Sequence, residues 1–233
     1  VTETSPRAWQ VVLSHIESAL LDGQLKPGDH LPPERMLAFD LGVGRSSVRE
    51  AVRALEVLGL VRTQTGSGPN AGAIIIATPR GGMSVLMRLQ VAAQGFPVDD
   101  VVATRLLLET SVAGRLAASS APLDGAEALL DAMEDEALTP AEFLALDAEF
   151  HLSLAEAAGN QVVVATMAGL RSAIEGYALA GAAAVADWHA TAARLRGEHR
   201  GIVAAISRSD VTAAQSAIHH HITDYYAETT PDA

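Results

Sequence analysis

Cysteine is absent from the 233 residues of this chain. Its absence excludes a disulfide scaffold, a thiolate metal site and a cysteine nucleophile, and it suits a reducing cytoplasm. Aromatic residues make up only 4% of the chain, so leucine, valine, isoleucine and methionine must supply most of any core. No uninterrupted apolar run is long enough to cross a bilayer, and the N-terminal residues lack the basic and apolar regions of a signal peptide. A soluble, cytoplasmic chain with no membrane partner is therefore expected. Val rather than Met at the first position is what a processed or trimmed chain would have.

Basic residues are also scarce, and unevenly so. The net charge is −12, yet residues 1–80 hold eight Lys or Arg against eight Asp or Glu, while the remainder holds 8 against 20. Only the N-terminal part is suited to a polyanion. Its neutrality fits a reader that uses a few placed arginines better than a coating protein with a broad basic face. The length is enough for two domains, each with its own core.

In the N-terminal part, Trp9, Val12, Leu13, Ile16, Leu20 and Leu21 form one apolar side of a helix over Pro6–Leu21, which Gly23 and Pro27-Gly28 break. A second helix runs from Pro33, at the position where a missing N–H costs nothing, to about Leu41, with Met36, Leu37, Phe39 and Leu41 as its apolar contacts. Gly42 ends it. Arg45–Leu58 then carries Val48, Val52, Leu55 and Leu58 at helical spacing, with Arg45, Ser46, Ser47 and Arg49 in its first turns, where a recognition helix enters a major groove. Val61–Thr65 and Ala73–Ala77 are the strands of a small wing. A solvated amphipathic hairpin is the plain alternative, but a short-turn helix pair followed by a Gly-rich hairpin is a more restrictive pattern.

These residues resemble the winged helix-turn-helix of the GntR family of bacterial regulators. The resemblance rests on Leu25, Pro27-Gly28, Leu31-Pro32, Glu34-Arg35, Leu41-Gly42-Val43, Val48-Arg49-Glu50-Ala51, Arg53, Leu55, Leu58-Gly59-Leu60-Val61, Gly66 and Gly68. It implies that Arg35, Arg45 and Arg49 contact bases or phosphates of double-stranded DNA, that Ser46 and Ser47 bond its backbone, and that Gly66 at the wing tip approaches the minor groove.

Thr78–Gly82 is the best boundary, giving domains at 1–77 and 83–228 with a linker at 78–82 and a tail at 229–233. Beyond it no strand pattern interrupts helical segments at about 83–94, 98–119, 124–136, 140–158, 160–180, 187–207 and 210–228. Thr139-Pro140-Ala141-Glu142 supplies a capping box, Asn160 follows the terminating Gly159, and Asp210 suits an N-cap. The expected fold is mainly α, a winged helix-turn-helix followed by an all-α antiparallel helical bundle.

Three of these helices place ionisable groups on core-facing stripes. Asp147 and His151 share a face with Leu144 and Leu154, His199 lies in the series Leu195, Ile202, Ile206, and His221 lies among Val211, Ala214, Ile218 and Tyr225. One carboxylate and three imidazoles make an N/O set for a divalent ion, zinc foremost, with nickel, manganese or iron as alternatives. A polar network without metal is the competing reading. Of His219, His220 and His221 only one can point squarely inward, because successive residues are about 100° apart; the stripe selects His221. Arg105, in the stripe Val101, Leu108, Val112, brings a planar donor fork inward, for an effector carboxylate or for an internal pair with Glu109 or Asp147.

Residues 83–228 are similar to the FCD effector domain of the FadR subfamily of GntR regulators. The likeness is carried by Arg105-Leu106-Leu107-Leu108-Glu109, Leu116-Ala117-Ala118, Asp147, Phe150-His151, Gly159-Asn160, Glu198-His199, Ile202, Ala205-Ile206, Asp210 and His221. It implies that Asp147, His151, His199 and His221 are metal ligands and that a small organic acid completes the coordination sphere. It further implies a homodimer whose two winged domains read half-sites of a palindromic operator, with recognition helices roughly 34 Å apart. The alternatives are a metal-dependent enzyme, with Glu198 or Glu109 as a base, and a metal-free regulator with a long acyl ligand. No recognised catalytic motif favours an enzyme.

Overall fold

In a computed structural model, which describes residues 6–64, 72–76, 79–93, 96–119, 121–183 and 185–229, the chain divides into two units, Val1–Val85 and Leu86–Ala233. The first is built on Ala8–Leu21 (α1), Glu34–Asp40 (α2), Arg45–Val57 (α3) and the strands Val61–Gln64 (β1) and Gly72–Ile75 (β2). Val12 and Ile16 of α1 pack with Val48, Ala51, Val52 and Leu55 of α3, and Leu31, Leu37, Ala38, Val61 and Ile75 complete this core.

A seven-residue helix such as α2 cannot stand alone in water, so it is held by burial of its inward face. That face is narrow. Leu37 and Ala38 are buried, whereas Met36 and Phe39, expected as apolar contacts, are 52% and 86% exposed. They sit about 100° off the buried residues beside them. Leu21 departs likewise, being 81% exposed at the end of α1, where Ala19 takes the inward position. Pro33 is the N-cap of α2 rather than its first residue. Gly42 closes the helix with φ +64°, the left-handed region a glycine enters without penalty, while the Val43 N–H reaches Ala38 O at 3.0 Å.

β1 and β2 pair antiparallel with Val61 opposite Ile75 and Gln64 opposite Gly72. The strands are shorter than their sequence pattern, and Thr65 and Ala77 lie outside the described residues. A further element joins them: Gly28 donates to Ile75 O at 2.8 Å, Ile75 to Asp29 O at 2.9 Å and Leu31 to Ala73 O at 2.8 Å. Residues 28–31 thus cover the free edge of β2.

Pro79–Ala92 (α4) begins within the segment expected as a linker. Proline at the start of a helix is preorganised for it. Gly82 is there because a Cβ would overlap the Leu58 carbonyl.

The second unit continues with Val98–Ala117 (α5), Asp124–Ala132 (α6), Pro140–Ala157 (α7), Gln161–Ala182 (α8), Trp188–Ser207 (α9) and Val211–Thr229 (α10). α10 packs along α5 and α9, and α7 lies against α8, α6 and α5. Phe143, Phe150, Leu116, Met133, Leu195, Ile202 and Ile218 are its largest fully buried side chains. Local chemistry sets the ends. Thr139 and Glu142 form the expected capping box at α7, Asn160 Oδ1 accepts from Val162 and Val163 at α8, and Asp210 Oδ1 accepts from Ala213 at α10. α6 stops at Ala132, short of its sequence pattern, and Asp135 Oδ1 then takes the Ala137 N–H at 2.9 Å in a turn leading to Pro140. No single helix among the described residues is long and apolar enough to cross a membrane.

Candidate metal centre and nucleic-acid interface

Asp147 and His151 stand one turn apart on α7, facing His199 of α9 and His221 of α10. All four side chains belong to buried residues, from 0% exposed at His199 to 7% at Asp147. His199 Nε2 is 3.0 Å from Asp147 Oδ1 and 3.3 Å from His221 Nε2, His151 Nε2 is 3.1 Å from His221 Nε2, and each of His151 Nε2 and His221 Nε2 is 3.8 Å from an Asp147 oxygen. Ligand atoms held about 2.0–2.1 Å from a tetrahedral zinc lie about 3.3–3.4 Å from one another. The spacing of the set fits a divalent ion, and its hard and borderline donors suit zinc or its first-row neighbours.

The electrostatics favour the ligating forms. Burial pushes His221 down to about 4 and also lowers His199, so both imidazoles are neutral at pH 7. For Asp147 burial acts in the opposite sense, but the neighbouring His151 and His199 outweigh it and hold the carboxyl well below its ordinary range.

Two arginine–glutamate pairs flank the cluster. Arg105 Nε donates to Glu109 Oε1 at 2.8 Å and its Nη1 to Tyr177 Oη at 2.6 Å, while Glu109 Oε2 lies 2.5 Å from His151 Nδ1. Despite burial, Arg105 and His151 drive Glu109 down to about 2. On the other side, Arg194 Nη1 donates to Glu198 Oε1 at 2.5 Å, and Glu198 Oε2 is 2.8 Å from His221 Nδ1. Sequence reasoning gave Glu109 and Glu198 no contact with the imidazoles, and it missed Tyr177, which lies 72 positions from Arg105 with no local pattern to connect them.

Arg105 borders two cavities of about 10 Å³ each, one also lined by Asp147, His221 and Tyr225, the other by Glu109, His151 and Arg171. Such a volume is about that of one water probe.

In the first unit, Arg35, Arg45, Ser46 and Arg49 are exposed and Ser47 half-buried, all on α2 or the start of α3. Arg49 is engaged by Glu34, with Nη2–Oε2 at 2.9 Å and Nε–Oε1 at 3.3 Å. Gly44 is the N-cap of α3 and brings no side chain to its first turn. Gly66 lies outside the described residues. His219 and His220 are exposed beside buried His221.

Residues 9–69 match the gntR family of bacterial regulatory proteins and residues 100–224 match the FCD domain. An uncharacterized HTH-type transcriptional regulator of Mycobacterium tuberculosis is 30% identical over 225 residues, spanning 93% of this chain and 87% of that protein. The Glc operon transcriptional activator of Escherichia coli K12 is 32% identical over 168 residues, 69% of this chain and 65% of its own length. A solved GntR structure from Streptococcus agalactiae superposes with TM-score 0.60 at 27% identity, covering 93% of this chain and 97% of that one.

Proposed function

This chain belongs to the GntR family of bacterial transcriptional regulators and carries the FCD domain of its FadR subfamily, and from that membership we propose a homodimeric, metal-centred sensor of a small organic acid. Ligand-responsive DNA binding, rather than catalysis, is the activity of the family. The observation that carries the finer reading is the convergence of three imidazole Nε2 atoms and the Asp147 carboxylate in a buried site, with the Arg105 guanidinium bordering the cavity beside Asp147 and His221.

Asp147, His151, His199 and His221 would hold the ion, zinc foremost. A bound divalent ion offers a Lewis-acidic position to a carboxylate oxygen. Arg105 offers a second, charge-assisted anchor of planar geometry. The cavities next to it are about one water in size, so an entering ligand displaces side chains, and a small acid displaces fewer of them than a long acyl chain. Such an acid takes the guanidinium in competition with Glu109 and Tyr177, so binding rearranges contacts between α5 and α8.

On the DNA side, Arg35, Arg45 and Arg49 read or anchor each half-site of a palindromic operator, with Ser46 and Ser47 on the phosphates and Gly66 at the wing tip. Operator and acid are coupled reciprocally, each shifting the other's affinity by the same factor. A regulator of this kind works in the cytoplasm. The test is elemental analysis of untagged protein purified without added metal, followed by operator binding across a panel of small carboxylic acids. About one metal per chain and an acid-dependent operator affinity support the reading; a chain that refuses added metal, or an operator affinity indifferent to every acid that binds, overturns it.

A further inference from the structure

Two helices repeat one arrangement around the metal cluster. On α5, Arg105 holds Glu109 four residues later, and Glu109 faces His151 of α7. On α9, Arg194 holds Glu198 four residues later at 2.5 Å, and Glu198 faces His221 of α10. In both, one carboxylate oxygen serves the arginine and the other lies against an imidazole Nδ1: Glu198 Oε2 is hydrogen-bonded to His221 Nδ1 at 2.8 Å, and Glu109 Oε2 lies 2.5 Å from His151 Nδ1. Another pair of this spacing, Arg171 with Glu175, turns instead to Glu149.

We propose that Glu109 and Glu198 are positioning residues for the metal, each fixing one imidazole in the tautomer and ring orientation that presents an Nε2 lone pair to the ion. The inference rests on the metal-centred reading given above. An ionised carboxylate only accepts hydrogen bonds, so the nitrogen facing it carries the hydrogen; a neutral imidazole has one N–H, and its other nitrogen is then a bare acceptor. His151 Nε2 and His221 Nε2 face each other at 3.1 Å. With both hydrogens drawn to the glutamates, two lone pairs meet across that gap, and a cation between them removes the repulsion. The arginines keep the glutamates ionised and still. His199 is built differently: no carboxylate faces its Nδ1 among the described residues, and its ring lies against Phe150 with centroids 4.6 Å apart. The ligand set therefore contains two imidazoles oriented by carboxylates and one oriented by packing.

Glutamine is the discriminating replacement, because it keeps the shape but offers one acceptor where two are in use. Zn²⁺ affinity of the full chain is measured by competition with a chromophoric chelator for the parent, Glu109→Gln and Glu198→Gln, with the visible spectrum of the Co²⁺ forms as a second readout. Each variant is expected to bind zinc about 10- to 100-fold more weakly and to shift the cobalt bands, while the chelated proteins keep the parent's helical circular dichroism. Glu198 is half-buried at the surface of the site, so its variant decides the question even where Glu109→Gln fails to fold. Zinc affinity within twofold of the parent, with an unchanged cobalt spectrum, overturns the positioning role and leaves the metal site standing. A parent chain that takes up neither ion overturns the metal reading and this inference with it.

Discussion

Glu34 on α2 receives the Arg49 guanidinium of α3 through two contacts, Nη2 to Oε2 at 2.9 Å and Nε to Oε1 at 3.3 Å. The pair joins the two helices of the helix-turn-helix and holds one of the arginines expected at the operator. Its partners are 52% and 33% exposed, so solvent screens it and it adds little to stability.

Its effect should therefore appear in DNA binding. Arg45→Ala and Arg49→Ala are each expected to weaken specific operator binding about tenfold to a hundredfold, leaving the bundle's circular dichroism unchanged. Glu34→Gln removes a negative charge from the proposed DNA-binding face and frees Arg49 to move, so non-specific affinity should rise and the ratio of specific to non-specific binding should fall. Fluorescence anisotropy with operator and scrambled duplexes at several salt concentrations measures both. Parent-like specificity in all three variants would remove α3 as the reading helix.

Metal removal should lower the melting temperature, because a ligand bound only by the folded state stabilises it by mass action, about 2.7 kcal/mol at a hundred times its Kd. Chelation followed by differential scanning calorimetry checks this in the parent. His199→Ala should lose most of its metal and respond little to the chelator. Equal chelator responses in parent and variant would mean that the ion sits elsewhere.

Acid should weaken the metal-free fold in two stages. Burial depresses His221 from 6.5 to about 4, so between those values the unfolded chain binds a proton that the folded chain refuses, and stability falls as pH drops. Asp147 and Glu109 are also depressed, Glu109 to about 2, by neighbouring histidines and Arg105 that outweigh burial. Their contribution is present above the ordinary carboxylate range and is lost as pH falls below it. The melting temperature of chelated protein should thus decline from pH 7 to pH 4 and more steeply below. A flat profile from pH 7 to pH 5 would contradict the depressed imidazole.

Arg105 and Tyr177 separate anion binding from folding. Arg105→Met leaves the Glu109 carboxylate buried without its cation, a change that costs about 3–5 kcal/mol, and it should abolish affinity for small carboxylic acids. Tyr177→Phe removes one acceptor from a buried guanidinium, about 1–3 kcal/mol, but leaves its charge in place. Acid affinity should then persist in the folded variant. Loss of acid binding in Tyr177→Phe with full folding would make the phenol a direct ligand contact.

Local chemistry accounts for what was legible in the sequence. The Thr139–Glu142 box, Asn160 and Asp210 act within a few residues of themselves, and each caps the helix its position implies. The 3.6-residue period also brought Asp147, His151, His199 and His221 to inward positions, which the helices then gather into one cluster. What escaped depends on partners distant in the chain. Tyr177 meets Arg105 across 72 positions, residues 28–31 join β2 from beyond two helices, and Gly82 in a glycine pair that reads as a break is set by the backbone of Leu58. Met36 and Phe39 misled because a helix as short as α2 buries too narrow a face for its apolar residues.

Ser209 closes α9 with φ 56°, and its N–H reaches Ile206 O at 2.9 Å while the following Asp210 N–H reaches Ala205 O at 3.1 Å. This is the left-handed helix end that glycine fills at Gly42, here adopted by a residue with a Cβ. The conformation costs an L-residue about 1–2 kcal/mol, whereas glycine escapes that strain but loses more backbone entropy on folding. The site is exposed and distant in sequence from both the metal ligands and the winged unit, so little else changes with it. Ser209→Gly is expected to stabilise the chain by up to about 1 kcal/mol, with metal content and operator affinity unaltered. Chemical denaturation of the parent and variant measures the difference in midpoint at constant slope. A lower midpoint for the glycine variant would mean that the serine hydroxyl does more for the helix end than its backbone strain takes away.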